Sequence, residues 1–186
     1  MGRPWPGADI KILDEDGSEL PPGERGSVYI KLGDDGFSYH DDEAKTASNR
    51  RGEYFTVGDI GELDEAGYLY LRDRTADLII AGGVNIYPVE IEHALLLHPA
   101  VADVGVIGIP DDDMGERILA VVELTADQHP GEPLEEMLRT HCEAHLARFK
   151  LPKQFEFVTS LPRDPSGKLF KRRLRDQYAP AATSAG

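Results

Sequence analysis

The feature that most constrains the fold of this chain is a change of rhythm across residues 73–92, DRTADLIIAGGVNIYPVEIE. Before it, apolar residues come in short runs separated by Gly, Pro and Asp turns. After it, helical periodicity alternates with apolar, β-branched runs. Inside the stretch Leu78-Ile79-Ile80-Ala81 meets Gly82-Gly83, and Tyr87-Pro88 leads into Val89-Glu90-Ile91-Glu92. An apolar run that ends at paired glycines and restarts behind a proline reads as strand, tight turn, strand, helix. Glycines there permit positive φ and let the backbone approach a ligand or another domain closely. The expected fold class is therefore mixed. A small β-barrel-like subdomain spans residues 1–72, a hinge 73–77 and an α+β domain 78–178, with a fraying tail over 179–186.

Upstream, Ile10–Leu13 and the period-2 alternation Ser27–Leu32 read as strands, divided by the Asp14–Gly17 and Pro21–Gly26 turns. Residues 33–52 are polar and read as a surface loop. Tyr54–Val57 and Gly67–Leu71 flank Asp64–Gly67, a hairpin turn. Downstream, Pro88–Leu97 is a helix, and Val101–Ile109 a strand that Pro110 is expected to stop. Leu119–Leu124 is a further strand. Pro133 opens an amphipathic helix whose apolar positions are Leu138, Cys142, Leu146 and Phe149. Gln154–Val158 is a strand and Lys171–Tyr178 a basic helix.

Composition bounds the function. With 186 residues, 40% of them hydrophobic, the chain can bury a real core. A formal charge of -14 argues against nucleic acid or an anionic membrane as principal partner. A single cysteine, Cys142, rules out an intrachain disulfide and fits a reducing, cytoplasmic setting. No apolar run approaches the roughly 18 residues of a membrane helix, and the N-terminus lacks the apolar segment of a signal peptide.

Three places carry candidate chemistry. Asp59, behind Gly58 and before Ile60-Gly61, is a carboxylate able to accept two hydrogen bonds from a vicinal diol, or an Asp capping a turn. Arg74 either pairs with the same ligand or with Asp73 or Asp77 on the surface. Lys168 ends Pro162-Arg163-Asp164-Pro165-Ser166-Gly167-Lys168, a rigid turn that lacks the spacing of a P-loop. A lysine on such a turn delivers a point charge to a phosphate or carboxylate, or is one more surface lysine. His141, Cys142 and His145 superficially suggest a metal ligand set. Cys142 falls on the apolar stripe, however, and no second ligand cluster accompanies it, so no metal site is expected. The run Arg163–Arg175 carries six Lys or Arg against one acid, which suits a solvated helix face or a local phosphate-steering patch.

Taken in order, these segments resemble the adenylate-forming family of acyl-CoA synthetases, luciferases and peptide-synthetase adenylation domains. The resemblance is carried by Gly2-Arg3-Pro4 with Pro6-Gly7, Leu20-Pro21-Pro22-Gly23-Glu24 with Gly26, and Phe55 with Gly58-Asp59-Ile60-Gly61. It continues through Asp73-Arg74 with Asp77, Pro88 with Glu90-Ile91-Glu92, and Pro162-Arg163 with Gly167-Lys168. It covers nearly the whole chain and is to the last third of such an enzyme.

The resemblance implies a ligase reaction in two steps. A carboxylate attacks the α-phosphate of ATP, with magnesium held mostly upstream, to give an acyl-adenylate and pyrophosphate; the thiol of coenzyme A then displaces AMP. By the same resemblance Lys168 is the catalytic lysine, Asp59 and Arg74 contact the nucleotide ribose, and residue 76 is the pivot about which the C-terminal domain turns between steps. Gly82 and Gly83 then line the tunnel that admits the pantetheine arm. The pivot is Ala76 where Asp or Lys is usual, and Val57 stands where threonine is usual. The form of the hinge motif is similar to bacterial fatty-acyl and sterol-side-chain CoA ligases. The segment is expected to need the N-terminal adenylation core and to be inactive alone. Two alternatives stay open: a fatty-acyl-AMP ligase feeding a carrier protein, and a stand-alone module that binds a nucleotide or partner without catalysis.

Overall fold

The computed structural model describes residues 2–33 and 49–179 and separates the chain into two units, Met1–Ala76 and Asp77–Gly186. Each is taken by itself.

In the first unit β1 (Ala8–Leu13) lies antiparallel to β2 (Gly26–Leu32), with Ile10 opposite Ile30 and Ile12 opposite Val28. Directly opposed residues share a face, so the two alternations merge into one apolar surface, closed over at Ile12 and Val28. The other edge of β2 is divided. One end takes β4 (Tyr54–Phe55), at Ile30 opposite Phe55; the other takes β5 (Asp59–Leu63), at Gly26 opposite Gly61. β3 (Arg50–Arg51) extends β4, and β6 (Leu69–Arg74) extends β5. Among the described residues the order β3-β4-β2-β5-β6, with β1 also on β2, is an open path. The barrel-like expectation is thus corrected to an open antiparallel sheet.

Two local readings also change. Residues 34–48 of the expected loop lie outside the described residues, and Arg50-Arg51 at its end is a strand. The turn Asp64–Gly67 joins β5 to β6, not the strand at Tyr54. Asp64 Oδ1 accepts the amides of Ala66 and Tyr68 at 2.9 and 2.8 Å and so closes the turn. β5 escapes a propensity reading because its Asp59 and Gly61 are poor strand formers. Gly61 is there for room: a Cβ would sit 2.8 Å from the Tyr70 carbonyl and 2.9 Å from Val28.

The second unit has helices on both faces of a mixed sheet. β7 (Ile79–Ala81) and β8 (Val84–Ile86) form a hairpin, followed by α1 (Pro88–Leu96). β9 (Val101–Asp111) and β10 (Gly115–Leu124) make a long antiparallel pair. β11 (Gln154–Val158) runs parallel to β10 on the opposite edge from β9. Between β10 and β11 come α2 (Glu132–His145) and the 3-10 turn Arg148–Lys150; α3 (Lys171–Tyr178) ends the described chain.

One face of the sheet, through Val104, Val106, Ile118, Ala120 and Val122, buries Ile91 and Leu95 of α1 and Leu134, Leu138 and Cys142 of α2. The other face, through Ile107, Ile109, Leu119 and Val121, buries Leu161 from the loop after β11 and Leu174 of α3. A strand buried on both faces reads as a continuous apolar run, which is why Val101–Ile109 was legible. Pro110 does not stop β9, which continues to Asp111: among the described residues β9 pairs only with β10, and an edge strand tolerates a residue without an N–H. The apolar stripe of α2 ends with the helix at His145, and Phe149 stands exposed on the 3-10 turn beyond it.

Candidate functional site

Asp59 opens β5 and Arg74 closes β6, and the hairpin register sets them directly opposite one another. Arg74 Nε lies 3.5 Å from Asp59 Oδ1. The strand ends are pinned by the backbone: Thr75 N–H donates to the Gly58 carbonyl at 2.8 Å, and Gly58 N–H to the buried Thr56 hydroxyl at 3.0 Å. Gly58 has φ +83, a conformation that side-chain-bearing residues rarely adopt. Asp59 Oδ2 has no protein donor among the described residues, so the carboxylate keeps an acceptor for a hydroxyl. Arg74, about half exposed, is worth little to stability in so loose a pair.

Ala76 is exposed in the short 3-10 turn Thr75–Asp77. Its neighbour Asp77 accepts a hydrogen bond from Arg175 Nη2 of α3 at 2.9 Å.

Gly82 and Gly83 are the two central residues of the β7–β8 hairpin, with Ala81 opposite Val84. Their φ values are +58 and +76, which is the two-residue turn whose twist matches that of the flanking strands. Gly82 N–H donates to the Met114 carbonyl at 2.8 Å. A groove of about 590 Å³ opens beside this hairpin, of a size that suits a small ligand. Gly82, Val84, Met114 and Phe149 give it apolar walls; Arg117, Arg148 and Lys153 supply positive charge and Asp111 and Glu116 negative. Asp111 is held below the usual carboxylate range, chiefly by the Met114 N–H it accepts. Glu116 Oε2 accepts the Ile80 amide at 2.7 Å, tying β10 to β7.

Lys168 stands at the end of a self-bonded turn. Asp164 Oδ1 accepts the amides of Ser166 and Lys168, each at 2.9 Å. The Asp164 amide donates to the Lys168 carbonyl at 2.9 Å, and Gly167 turns at φ +86. These donors, the Ser166 hydroxyl first, hold the Asp164 carboxyl below its ordinary range. Lys168 is exposed, and its ammonium has no carboxylate within ion-pair distance among the described residues. The rest of the basic run is more occupied: Arg163 pairs with Asp103, Lys171 with Glu92 and Arg175 with Asp77.

The histidines of α2 are engaged in the fold. His141 Nε2 donates to the Ala94 carbonyl and His145 Nδ1 to the His141 carbonyl, both at 2.8 Å. Cys142 is buried, which pushes its thiol up to about 11. The structure thus brings Asp59 and Arg74 together and gives Gly82-Gly83 and Lys168 separate settings in the second unit. Sequence reading missed the groove: Phe149 was assigned to a helix stripe, and Met114 and Lys153 carry no motif. It also missed Arg163 as a brace.

Residues 90–168 match the family model described as AMP-binding enzyme C-terminal domain. The chain is 42% identical, over 95% of its length, to a fatty acid–[acyl-carrier-protein] ligase, ScoC, of Streptomyces coeruleorubidus. It is 41% identical, over 96% of its length, to a long-chain-fatty-acid–CoA ligase, FadD13, of Mycobacterium tuberculosis. In both cases it spans 34% of the relative. The crystal structure of ATP-bound MatB from Rhodopseudomonas palustris superposes with a TM-score of 0.86 at 37% identity, over 96% of this chain and 35% of that one.

Proposed function

Because the chain belongs to the adenylate-forming, AMP-binding ligase family, we propose that it is the C-terminal third of an ATP-dependent acyl-CoA ligase acting on a fatty acid or sterol-side-chain acid. The observation that carries this reading is the exposed Lys168 ammonium, without a carboxylate partner among the described residues and displayed on a turn whose own hydrogen bonds fix its shape.

A carboxylate is a poor acyl donor because its leaving group would be oxide; a mixed anhydride with AMP removes that obstacle. In its formation the carboxylate oxygen bonds to the α-phosphorus of ATP while the bond to the pyrophosphate oxygen breaks. Both reactants are anionic, so the transition state gains from positive charge, which Lys168 supplies as a mobile ammonium on a fixed base. Asp59 accepts hydrogen bonds from the ribose hydroxyls, and Arg74 orients Asp59 and adds a second contact. In the second step the coenzyme A sulfur bonds to the acyl carbon and AMP leaves with the bonding pair. The Gly82-Gly83 turn leaves a side-chain-free wall for the pantetheine arm, and the adjoining groove offers apolar surface and the cations Arg117, Arg148 and Lys153. Turning about residues 73–77 exchanges the Lys168 face for the glycine face. Among the described residues no group of three or more His, Cys, Asp or Glu is arranged to hold a metal. Magnesium, which is usually held by one or two carboxylates together with substrate phosphates, belongs in this proposal to the upstream portion, and the 186 residues alone are expected to be inactive.

The acceptor has a second reading. The similarity to an acyl-carrier-protein ligase supports a phosphopantetheine arm on a protein as acceptor, as the nearly equal similarity to FadD13 supports free coenzyme A. The same thiol chemistry serves both. The test is a panel of carboxylic acids offered to the complete ligase chain, read by pyrophosphate exchange and then by thioester formation with coenzyme A or a carrier protein. Exchange with fatty or sterol-side-chain acids supports the reading, thioester formation identifies the acceptor, and no exchange with any acid overturns it. Among the described residues no helix is long and apolar enough to cross a membrane.

A further inference from the structure

The hydrogen bonds inside the lysine turn fix its shape but not its direction. A compact hairpin that bonds only to itself pivots freely on its two ends unless something outside it holds the angle. Two contacts do so. Leu169, next to Lys168, packs half-buried on the apolar layer beneath α3. It approaches Gly105 of β9 so closely that a Cβ there would be 2.8 Å from its Cδ2. The second contact is Arg163. Its Nε and Nη2 donate to Asp103 Oδ2 and Oδ1 of β9 at 2.6 and 2.7 Å, and its Nη1 donates to the Gly167 carbonyl at 2.6 Å. One guanidinium plane thus joins strand β9 to the residue immediately before Lys168. Asp103 is itself oriented, because its Oδ1 accepts the Val104 amide at 2.9 Å.

We propose that Arg163 is a positioning residue for Lys168, and that its two-pronged pair with Asp103 sets the angle at which the lysine turn stands on β9. The inference rests on the catalytic role proposed above for Lys168. The planar fork is essential: a lysine at position 163 offers one compact ammonium and cannot hold the carboxylate face-on while bonding the Gly167 carbonyl. Stability alone does not account for the arrangement. Both partners are partly exposed, 39% and 22% for their side chains, and such pairs contribute little to stability. A displaced catalytic group is far more costly, since about 1 Å of misplacement lowers a rate on the order of 100-fold.

The test uses Arg163→Lys, Arg163→Leu, Asp103→Leu and the double Asp103→Leu/Arg163→Leu variant. In the complete ligase chain each is expected to lower the kcat of carboxylate-dependent pyrophosphate exchange by about 10- to 100-fold. The KM for ATP should move less than threefold, and thioester formation from supplied acyl-adenylate should be unchanged. The double variant should be no worse than the poorer single one, because both remove one brace. In the 186-residue chain, Arg163→Leu should speed amide exchange at Gly167 and Lys168 at least fivefold while β9 and β10 keep their protection. Wild-type exchange kinetics in Arg163→Leu, additive losses in the double variant, or a uniform loss of protection across β9 and α3 would each overturn the proposal. If the unmutated complete chain catalyses no exchange, the ligase reading fails instead, and the amide measurement still decides whether Arg163 braces the turn.

Discussion

Replacing Gly83 by leucine separates the two faces of the proposed site. Gly83 sits at φ +76, where a side-chain-bearing residue costs about 1–2 kcal/mol. A Cβ there meets nothing within 4 Å, so crowding adds nothing to that cost. Small domains have roughly 5–15 kcal/mol of stability. Even at the lower bound about 3 kcal/mol remains, and less than roughly 1% of molecules are unfolded at 25 °C. The melting transition of the second unit should fall by about 4–8 °C per kcal/mol lost. Activity losses beyond twofold therefore cannot be assigned to unfolding. The leucine side chain instead projects from the turn along which the pantetheine arm is proposed to pass. In the complete ligase chain, pyrophosphate exchange should stay within twofold of wild type, while thioester formation falls at least 100-fold. Gly83→Asn is the control for backbone strain, because asparagine accepts the left-handed conformation at little cost and should recover most of the melting temperature. Equal loss of both half-reactions, or unimpaired thioester formation in Gly83→Leu, would refute the reasoning.

Three further outcomes concern the packing of the second unit. Cys142 is buried and its thiol pushed up to about 11, so it should resist alkylation at pH 8 until the protein is unfolded. Since the unfolded thiol ionises near pH 9 and the folded one resists, thermal stability should also decline as pH rises from about 9 towards 11; a flat profile would contradict the burial. Burial, and secondarily His141 at 5.1 Å between ring centroids, depress the pKa of His98 below 6.5. The neutral ring accepts the Ala100 amide through Nδ1, a bond that protonation breaks. The contribution of His98 is therefore present above pH 6.5 and lost as pH falls. Melting temperatures between pH 7 and 5 should decline less steeply in His98→Gln, and parallel profiles would show that His98 is not the group responsible.

What could be read in advance divides along physical lines. β11 and α3 were legible to the residue, because Gln154–Val158 is flanked by proline and α3 follows a glycine turn. The double-sided burial of β9 shows as an unbroken apolar run. β5 was not legible, because it is built on Asp59 and Gly61 and is held by register with its neighbours rather than by propensity. The same register brings Asp59 opposite Arg74, which no spacing rule states. Phe149 was assigned to the wrong element because its spacing continues the stripe of α2 past the point where the helix ends. Arg163 shows in the sequence only as a member of the lysine motif and as one cation in a basic run. Its meaning lies in Asp103, on a strand far away in sequence. Motifs locate chemistry, whereas braces and grooves emerge only when distant segments meet.

The central claim is that one chain presents Lys168 for adenylation and the glycine turn for thioester formation. It is tested most directly by measuring both half-reactions of Lys168→Ala in the complete ligase chain. The predicted result is loss of carboxylate-dependent pyrophosphate exchange by at least 100-fold, with thioester formation from supplied acyl-adenylate within threefold of wild type. Undiminished exchange, or collapse of both half-reactions together in a protein that melts like the wild type, would contradict it.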